Sequence, residues 1–295
     1  MSEKIEDSRL KDWESIKQPS QDTVLSYAAA SDFICHCIQF NKFIDVGPGI
    51  AFSEAWEVRS LKPDACILGF EPQPERYDIL RLNYYPGQLF LGACGSKSGN
   101  YIGAMGHAGG ETNFKLSTSS ENIEDGSYKR ETVNVYKIDD LIDPGAQDLS
   151  TFVWADVDGS EFQVLKGMQI ALQNHKISGF MVELAPEKEG PDGAAWEEVY
   201  EWANKRGYYL AAVFNIQPTH FDCIFMSERL LPKRLCIDLD TMQECLSSHS
   251  DNITYFLANC FDDYYDDFVE RRHTPDSPAR EHIKQKKKQM ESKNV

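Results

Sequence analysis

Asp45 stands two residues ahead of the turn Gly47-Pro48-Gly49, at the end of the apolar run Phe43-Ile44-Asp45-Val46, and this order carries the first chemistry legible in the chain. A glycine turn leaving a strand lets a ligand approach bare backbone, because glycine has no side chain to block it and tolerates unusual dihedrals. In dinucleotide sites the same turn holds a pyrophosphate, which a carboxylate at Asp45 would repel. A nucleotide bearing a cation suits it better. S-adenosylmethionine carries an ammonium and a sulfonium, and Asp45 can accept a charge-assisted hydrogen bond from the former. The third glycine of the dinucleotide fingerprint is replaced by Phe52, which weighs further against NAD.

The second carboxylate is Glu71, 22 residues after Gly49, where the apolar run Ala65-Cys66-Ile67-Leu68-Gly69-Phe70 gives way to Glu71-Pro72. An acid at the C-terminal end of the next strand of an open α/β sheet is placed to accept two hydrogen bonds from a ribose diol. On this reading Asp45, Gly47 and Gly49 hold the methionine end of the cofactor, Glu71 and Pro72 the ribose, and the edge at Ala93-Cys94 the adenine.

Methyl transfer from a sulfonium needs the acceptor atom in line with the S–CH3 bond at about 3 Å, so orientation does most of the work. A base is needed only to take a proton from the acceptor. Asp156, Asp158, Glu183 and His107 are the candidates, with Asp156 first because it falls at a strand end beside the cofactor, and His220 sits in a hairpin turn. Asp158 and Glu161 have a competing use as caps of a helix from Ser160 to Met168. A divalent ion held by Asp156, Asp158 and Glu183 is chemically admissible but not expected. With Gly159 at position 6 of a calcium loop, positions 1 and 12 fall on Trp154 and Leu165, neither a ligand.

Four segments in order resemble the FkbM-type S-adenosylmethionine-dependent methyltransferases. They are Phe43 to Phe52, Phe70-Glu71-Pro72 through Asn83, Tyr136 to Ile142, and Trp154-Ala155-Asp156-Val157-Asp158-Gly159-Ser160-Glu161 through Gly167. The resemblance spans roughly 43 to 185. It implies a class I methyltransferase fold and O-methylation, whereas the residues alone imply only the cofactor. The chain departs from the family pattern at Pro48-Gly49, at Ala155 in place of a lysine, and at Asp158 in place of a glutamate. A nicotinamide-dependent oxidoreductase on the same fold and a non-catalytic methyltransferase-like binding domain stay open as alternatives.

The elements that must position these groups follow from hydrophobic patterning. Strands are expected near 42–46, 65–70, 88–93, 151–157, 178–184, 208–214 and 221–226, which makes a Rossmann-like, doubly wound, seven-stranded α/β sheet closed by an antiparallel hairpin. Residues 1–40 read as a helical lid segment, with an amphipathic helix from about 21 to 40. Residues 41–228 form the catalytic domain, whose Gly-, Ser- and Asn-rich insert at 95–137 is expected to be a hairpin or ribbon over the sheet edge. Residues 229–273 read as a helical extension, and 274–295 as a disordered tail with a local charge of +3.

Bulk properties narrow the partners. A net charge of −17 disfavours nucleic acid and anionic membranes, and leaves a small-molecule or glycan acceptor as the expected partner. There is no run of 18 apolar residues to span a membrane. The eight cysteines contain no Cys-x-x-Cys pair and follow no secretion signal, so they read as reduced thiols of a cytoplasmic protein. Neighbours in Cys35-His36-Cys37 point to different faces of a helix, which argues against a metal there. The aromatic and acidic mixture at 254–268 could pair two copies of the chain through the C-terminal helices.

Overall fold

The structure is a computed structural model, and it describes residues 21–49, 53–82, 85–106, 114–117, 128–157, 159–186, 194–217, 219–230, 237–240, 242–243 and 255–256. Helix α1 (Gln21–Cys37) leads into β1 (Lys42–Val46), α2 (Ser53–Leu61), β2 (Cys66–Glu71), α3 (Pro74–Leu82) and β3 (Gln88–Leu91). The insert supplies β4 (Ala93–Cys94), β5 (Gly99–Gly106), β6 (Phe114–Ser117) and β7 (Tyr128–Tyr136). Then come β8 (Thr151–Ala155), α4 (Glu161–Gly167), α5 (Gln169–Gln173), β9 (Ile177–Leu184), α6 (Trp196–Asn204), β10 (Tyr208–Phe214), β11 (Phe221–Ser227) and β12 (Tyr255–Phe256).

The main sheet has the order β12-β10-β11-β9-β8-β1-β2-β3. Strands β3, β2, β1, β8 and β9 run parallel, and β11 enters antiparallel between β9 and β10. This is the Rossmann-like class I arrangement. Chain connections leave β1 and β8 on opposite sides of the sheet's midline, so the crevice outside their carboxyl ends is the topological switch point where α/β sheets bind ligands.

Central strands are mostly apolar because both sheet faces are covered, with Asp45 in β1 and Asp222 in β11 as buried exceptions. Every residue of β8 and β11 is buried. Ring pairs knit neighbouring strands: Phe43 lies parallel to Phe152 with centroids 6.3 Å apart, and Phe180 stacks on Phe225 at 5.1 Å.

Four details differ from the sequence expectations. The strand expected over 88–93 breaks at Gly92, where a Cβ would lie 2.6 Å from the Asn134 carbonyl oxygen, and Ala93–Cys94 joins the insert instead. The insert is therefore a second sheet, ordered β4-β7-β5-β6, rather than a lone hairpin. Helix α1 is not amphipathic along its described side chains: Ala28 through Cys35 are all buried, since three consecutive alanines permit close approach on every side. Tyr255–Phe256, inside the stretch expected to be helical, forms a short strand on the open edge of β10. The edge offers unpaired backbone groups, and aromatic residues suit a pleated surface. Among the described residues no helix is long and apolar enough to cross a membrane.

Candidate active site

The glycine turn is held from both sides. The Gly47 N–H donates to the Phe70 carbonyl at 3.0 Å, and the Asp156 N–H donates to the Val46 carbonyl at 3.0 Å, so the turn is clamped between the ends of β2 and β8. Gly47 has φ +79°, and a Cβ there would sit 2.0 Å from the Asp156 carbonyl oxygen. No other residue fits. Gly49 has φ +55°, and among the described residues nothing lies within 4 Å of where its Cβ would be.

Asp45 lies directly beneath this turn and is fully buried. The Tyr85 hydroxyl donates to its Oδ2 at 2.7 Å, while Oδ1 is buried with no hydrogen-bond partner among the described residues. Burial pushes the carboxyl up to about 7; the Tyr85 hydrogen bond pulls it down, and the nearby charges of Asp156 and Glu71 push it further up. An acceptor oxygen left without a donor below an open backbone turn fits a ligand that brings its own ammonium.

Glu71, at the end of β2, is buried, and the Gln73 N–H donates to its Oε1 at 2.8 Å across Pro72. This bond fixes the carboxylate at the strand end. The Gly92 N–H donates to the Glu71 carbonyl at 3.0 Å, which brings Ala93 and Cys94 alongside. Both are buried, Ala93 packs with Val133 and Val135, and burial pushes the Cys94 thiol well up.

A group of acids gathers at the adjacent ends of β8, β9 and β11. The Tyr27 hydroxyl, carried by α1, donates to Asp156 Oδ2 at 3.3 Å, and its ring packs against Trp154 and Phe214, each with centroids 5.8 Å away. Asp222 is wholly buried and accepts a 2.9 Å hydrogen bond from Asn215 Nδ2. Burial holds its carboxyl well above the carboxylate range, and the Asp156 charge adds to this. Glu183 pairs in register with Asp222 and lies 3.9 Å from His220 Nε2. Glu161 is buried at the start of α4, and its Oε1 accepts from the N–H groups of Val157 (3.2 Å) and Gly159 (3.0 Å). Burial pushes its carboxyl up to about 8. Glu161 and Glu183 line a small cleft, open to solvent, with Gly159, Phe162, Leu184, Ala185, Ala194 and Val199; its cavity volume is about 20 Å³.

Residues 46–210, more than half of the chain, match the family model of the Methyltransferase FkbM domain. The chain belongs to this family of S-adenosylmethionine-dependent methyltransferases. Among curated proteins none matches the sequence significantly. Solved structures with a similar fold include a SAM-dependent methyltransferase from Aquifex aeolicus (12% identity, 73% of this chain and 97% of that one, TM-score 0.38). Another is the magnesium protoporphyrin IX methyltransferase from Synechocystis with bound SAM (8%, 75% and 92%, TM-score 0.40). A third is cofactor-bound Rv0187 from MTB (13%, 74% and 88%, TM-score 0.42). Likenesses at this level say nothing about the acceptor.

Within this FkbM-type methyltransferase, Asp45, Gly47, Gly49 and Asp156 meet at one turn, Glu71 and Pro72 follow at the end of β2, and Ala93 and Cys94 of the second sheet are brought alongside by the Gly92–Glu71 hydrogen bond. Glu183 stands further along, two strands from β1. Asp158, His107 and Phe52 lie outside the described residues. Glu161 starts α4 rather than occupying a third helical position, with Ser160 as the N-cap residue, and it ties down the preceding loop. Among the described residues no cluster of three His, Cys, Asp or Glu side chains could hold a metal ion.

Tyr27, Tyr85 and Asp222 were not singled out by sequence reasoning. Asp222 did leave a signal, as an acid inside the otherwise apolar strand Phe221–Met226. The tyrosines left none, because each reaches its carboxylate from a distant part of the chain.

Proposed function

We propose that this methyltransferase binds S-adenosylmethionine at the β1 turn and methylates a hydroxyl of a small molecule or sugar. The observation that carries the reading is that, among the described residues, a buried Asp45 Oδ1 has no hydrogen-bond partner and nothing covers Gly49 on the same turn. Asp45 takes the ammonium of the cofactor, the backbone at Gly47 and Gly49 lies against its methionine end, and Glu71 and Pro72 meet the ribose. The Ala93–Cys94 edge borders the adenine. The bound cofactor supplies an electrophilic methyl group.

The acceptor enters beside Asp156, in the cleft bordered by Glu183 and Glu161, whose apolar wall of Phe162, Leu184 and Val199 suits a molecule with both apolar and hydroxylated parts. Asp156 is the first choice of base, since it is joined to the cofactor turn by its own backbone. A net charge of −17 disfavours nucleic acid as acceptor.

Isothermal titration with S-adenosylhomocysteine tests the cofactor assignment. We expect binding to the wild-type protein and a loss of roughly 10-fold or more in Glu71→Ala, which removes hydrogen bonds to a charged acceptor. No binding, or undiminished binding in the variant, sinks the assignment. Transfer of labelled methyl from the cofactor to a metabolite extract, with mass spectrometry of the products, then distinguishes O-methyl from N-methyl acceptors.

A further inference from the structure

We propose that Tyr85 is a positioning residue for the cofactor: its hydroxyl orients the Asp45 carboxylate and keeps it ionised, so that this pair sets the pH dependence of cofactor binding. The inference rests on the cofactor reading above and adds to it a residue outside every glycine or acidic motif.

The route by which Tyr85 reaches Asp45 is built into three elements. Gly69 on β2 stands in register with Asp45 on β1. A Cβ at Gly69 would lie 2.6 Å from both Cζ and the hydroxyl oxygen of Tyr85, so the ring crosses β2 only because that position has no side chain. A glycine inside an apolar strand commonly marks such a close approach. The Tyr85 backbone is fixed at the exit of α3, where its N–H donates to the Leu80 carbonyl at 3.1 Å. The next residue is fixed from the other side, since Arg59 of α2 donates from Nε (3.1 Å) and Nη2 (3.0 Å) to the Pro86 carbonyl. Gly87 then lets the loop press on β2, its Cβ position being 2.3 Å from the Ile67 carbonyl oxygen. All of this delivers one phenol to one carboxylate.

The electrostatics give that delivery a purpose. The other titratable groups facing Asp45 are Asp156 at the end of β8 and Glu71 at the end of β2, and both favour the protonated acid. Glu54 and Arg59, both on α2, face Tyr85. Tyr85 is therefore the group that favours the carboxylate, and a cationic ligand needs the carboxylate. Holding Oδ2 also leaves Oδ1 as the only oxygen for the ligand, which fixes the direction of the ammonium.

The test is isothermal titration of S-adenosylhomocysteine against wild type, Tyr85→Phe and Asp45→Asn between pH 6 and pH 8. With Asp45 titrating at about 7, wild-type affinity rises about 10-fold across this range. In Tyr85→Phe the midpoint moves up. For a rise of about one pH unit, affinity falls roughly 5-fold at pH 7 and roughly 2-fold at pH 8, a deficit that closes as the solution becomes more basic. A merely structural role would weaken binding equally at every pH, and that result overturns the proposal. An unchanged midpoint in Tyr85→Phe overturns it too, as does an Asp45→Asn profile as steep as wild type, which can be read even where Tyr85→Phe does not fold. Absence of wild-type binding at every pH strikes the cofactor assignment itself.

Discussion

Replacing Glu161 by glutamine gives the most quantitative check on the electrostatics at the ends of β8 and β9. The Glu161 side chain is buried at the start of α4, and its Oε1 accepts the backbone N–H groups of Val157 and Gly159. Its carboxyl is raised from 4.5 to about 8, first by burial and secondarily by Asp156, with the backbone hydrogen bonds opposing. A raised carboxyl destabilises the folded state only when ionised. The penalty is absent below pH 4.5, grows as pH rises, and is complete above about 8, so stability falls with increasing pH across that window. Each pH unit within it is worth about 1.4 kcal/mol per proton. Between pH 5.5 and pH 8 the Glu161 share of the loss is therefore about 3 kcal/mol. Glutamine keeps an oxygen for both N–H donors but does not titrate. Urea denaturation of the ligand-free proteins at several pH values should show wild type losing about 3 kcal/mol more than Glu161→Gln over this range. The contribution of Asp45 slopes the same way in both proteins and cancels in the comparison. Parallel slopes for the two proteins would refute the assignment of a buried, proton-holding Glu161.

Two further substitutions probe the geometry. Gly47→Ala puts a Cβ against the Asp156 carbonyl at a φ of +79°, and should destabilise the protein by about 2 kcal/mol or more in urea titrations while weakening S-adenosylhomocysteine binding. Tyr27→Phe removes the hydroxyl at Asp156 without touching the cofactor turn. It should leave S-adenosylhomocysteine affinity within about 2-fold, yet lower labelled-methyl transfer to the acceptor returned by the extract screen by at least about 10-fold.

What could be read from the sequence was local in the chain. Asp45, Gly47 and Gly49 lie within five positions, and their placement at one turn follows from the strand-turn-helix order alone. Glu71 is legible because parallel β1 and β2 bring successive strand ends to the same edge. The hairpin β10–β11 is legible because its strands are separated by a short proline-containing turn. Tyr85 and Tyr27 are 40 and 129 positions from the carboxylates they touch, and no periodicity encodes a contact that depends on how α3 exits or how α1 crosses the sheet. Even so, Gly69 was a readable sign. A glycine in the middle of Cys66-Ile67-Leu68-Gly69-Phe70 costs strand stability and calls for a close neighbour, although it cannot say which one. The break at Gly92 is of the same kind: the patterning of 88–93 is continuous, and only packing against Asn134 and Tyr136 divides it between two sheets.

The unusual density of acids at the sheet edge has one physical resolution in the ligand-free protein and another in the complex. Asp45, Glu161 and Asp222 are buried, and each is pushed toward its neutral form by desolvation and by the charge of Asp156. Proton uptake relieves the repulsion when no cation is present. A sulfonium and an ammonium would relieve it differently, by supplying positive charge where the described residues supply only phenols, amides and backbone N–H groups to these three carboxyls. On the proposed placement of the cofactor, protons and cofactor compete for the same edge. The competition disfavours nicotinamide dinucleotides, whose pyrophosphate would add negative charge at the turn above Asp45. Among the described residues the donor against Asp45 is the neutral Tyr85 hydroxyl, which suits the proposed role: a fixed lysine or arginine there would satisfy the carboxylate permanently and leave nothing for a ligand to complete.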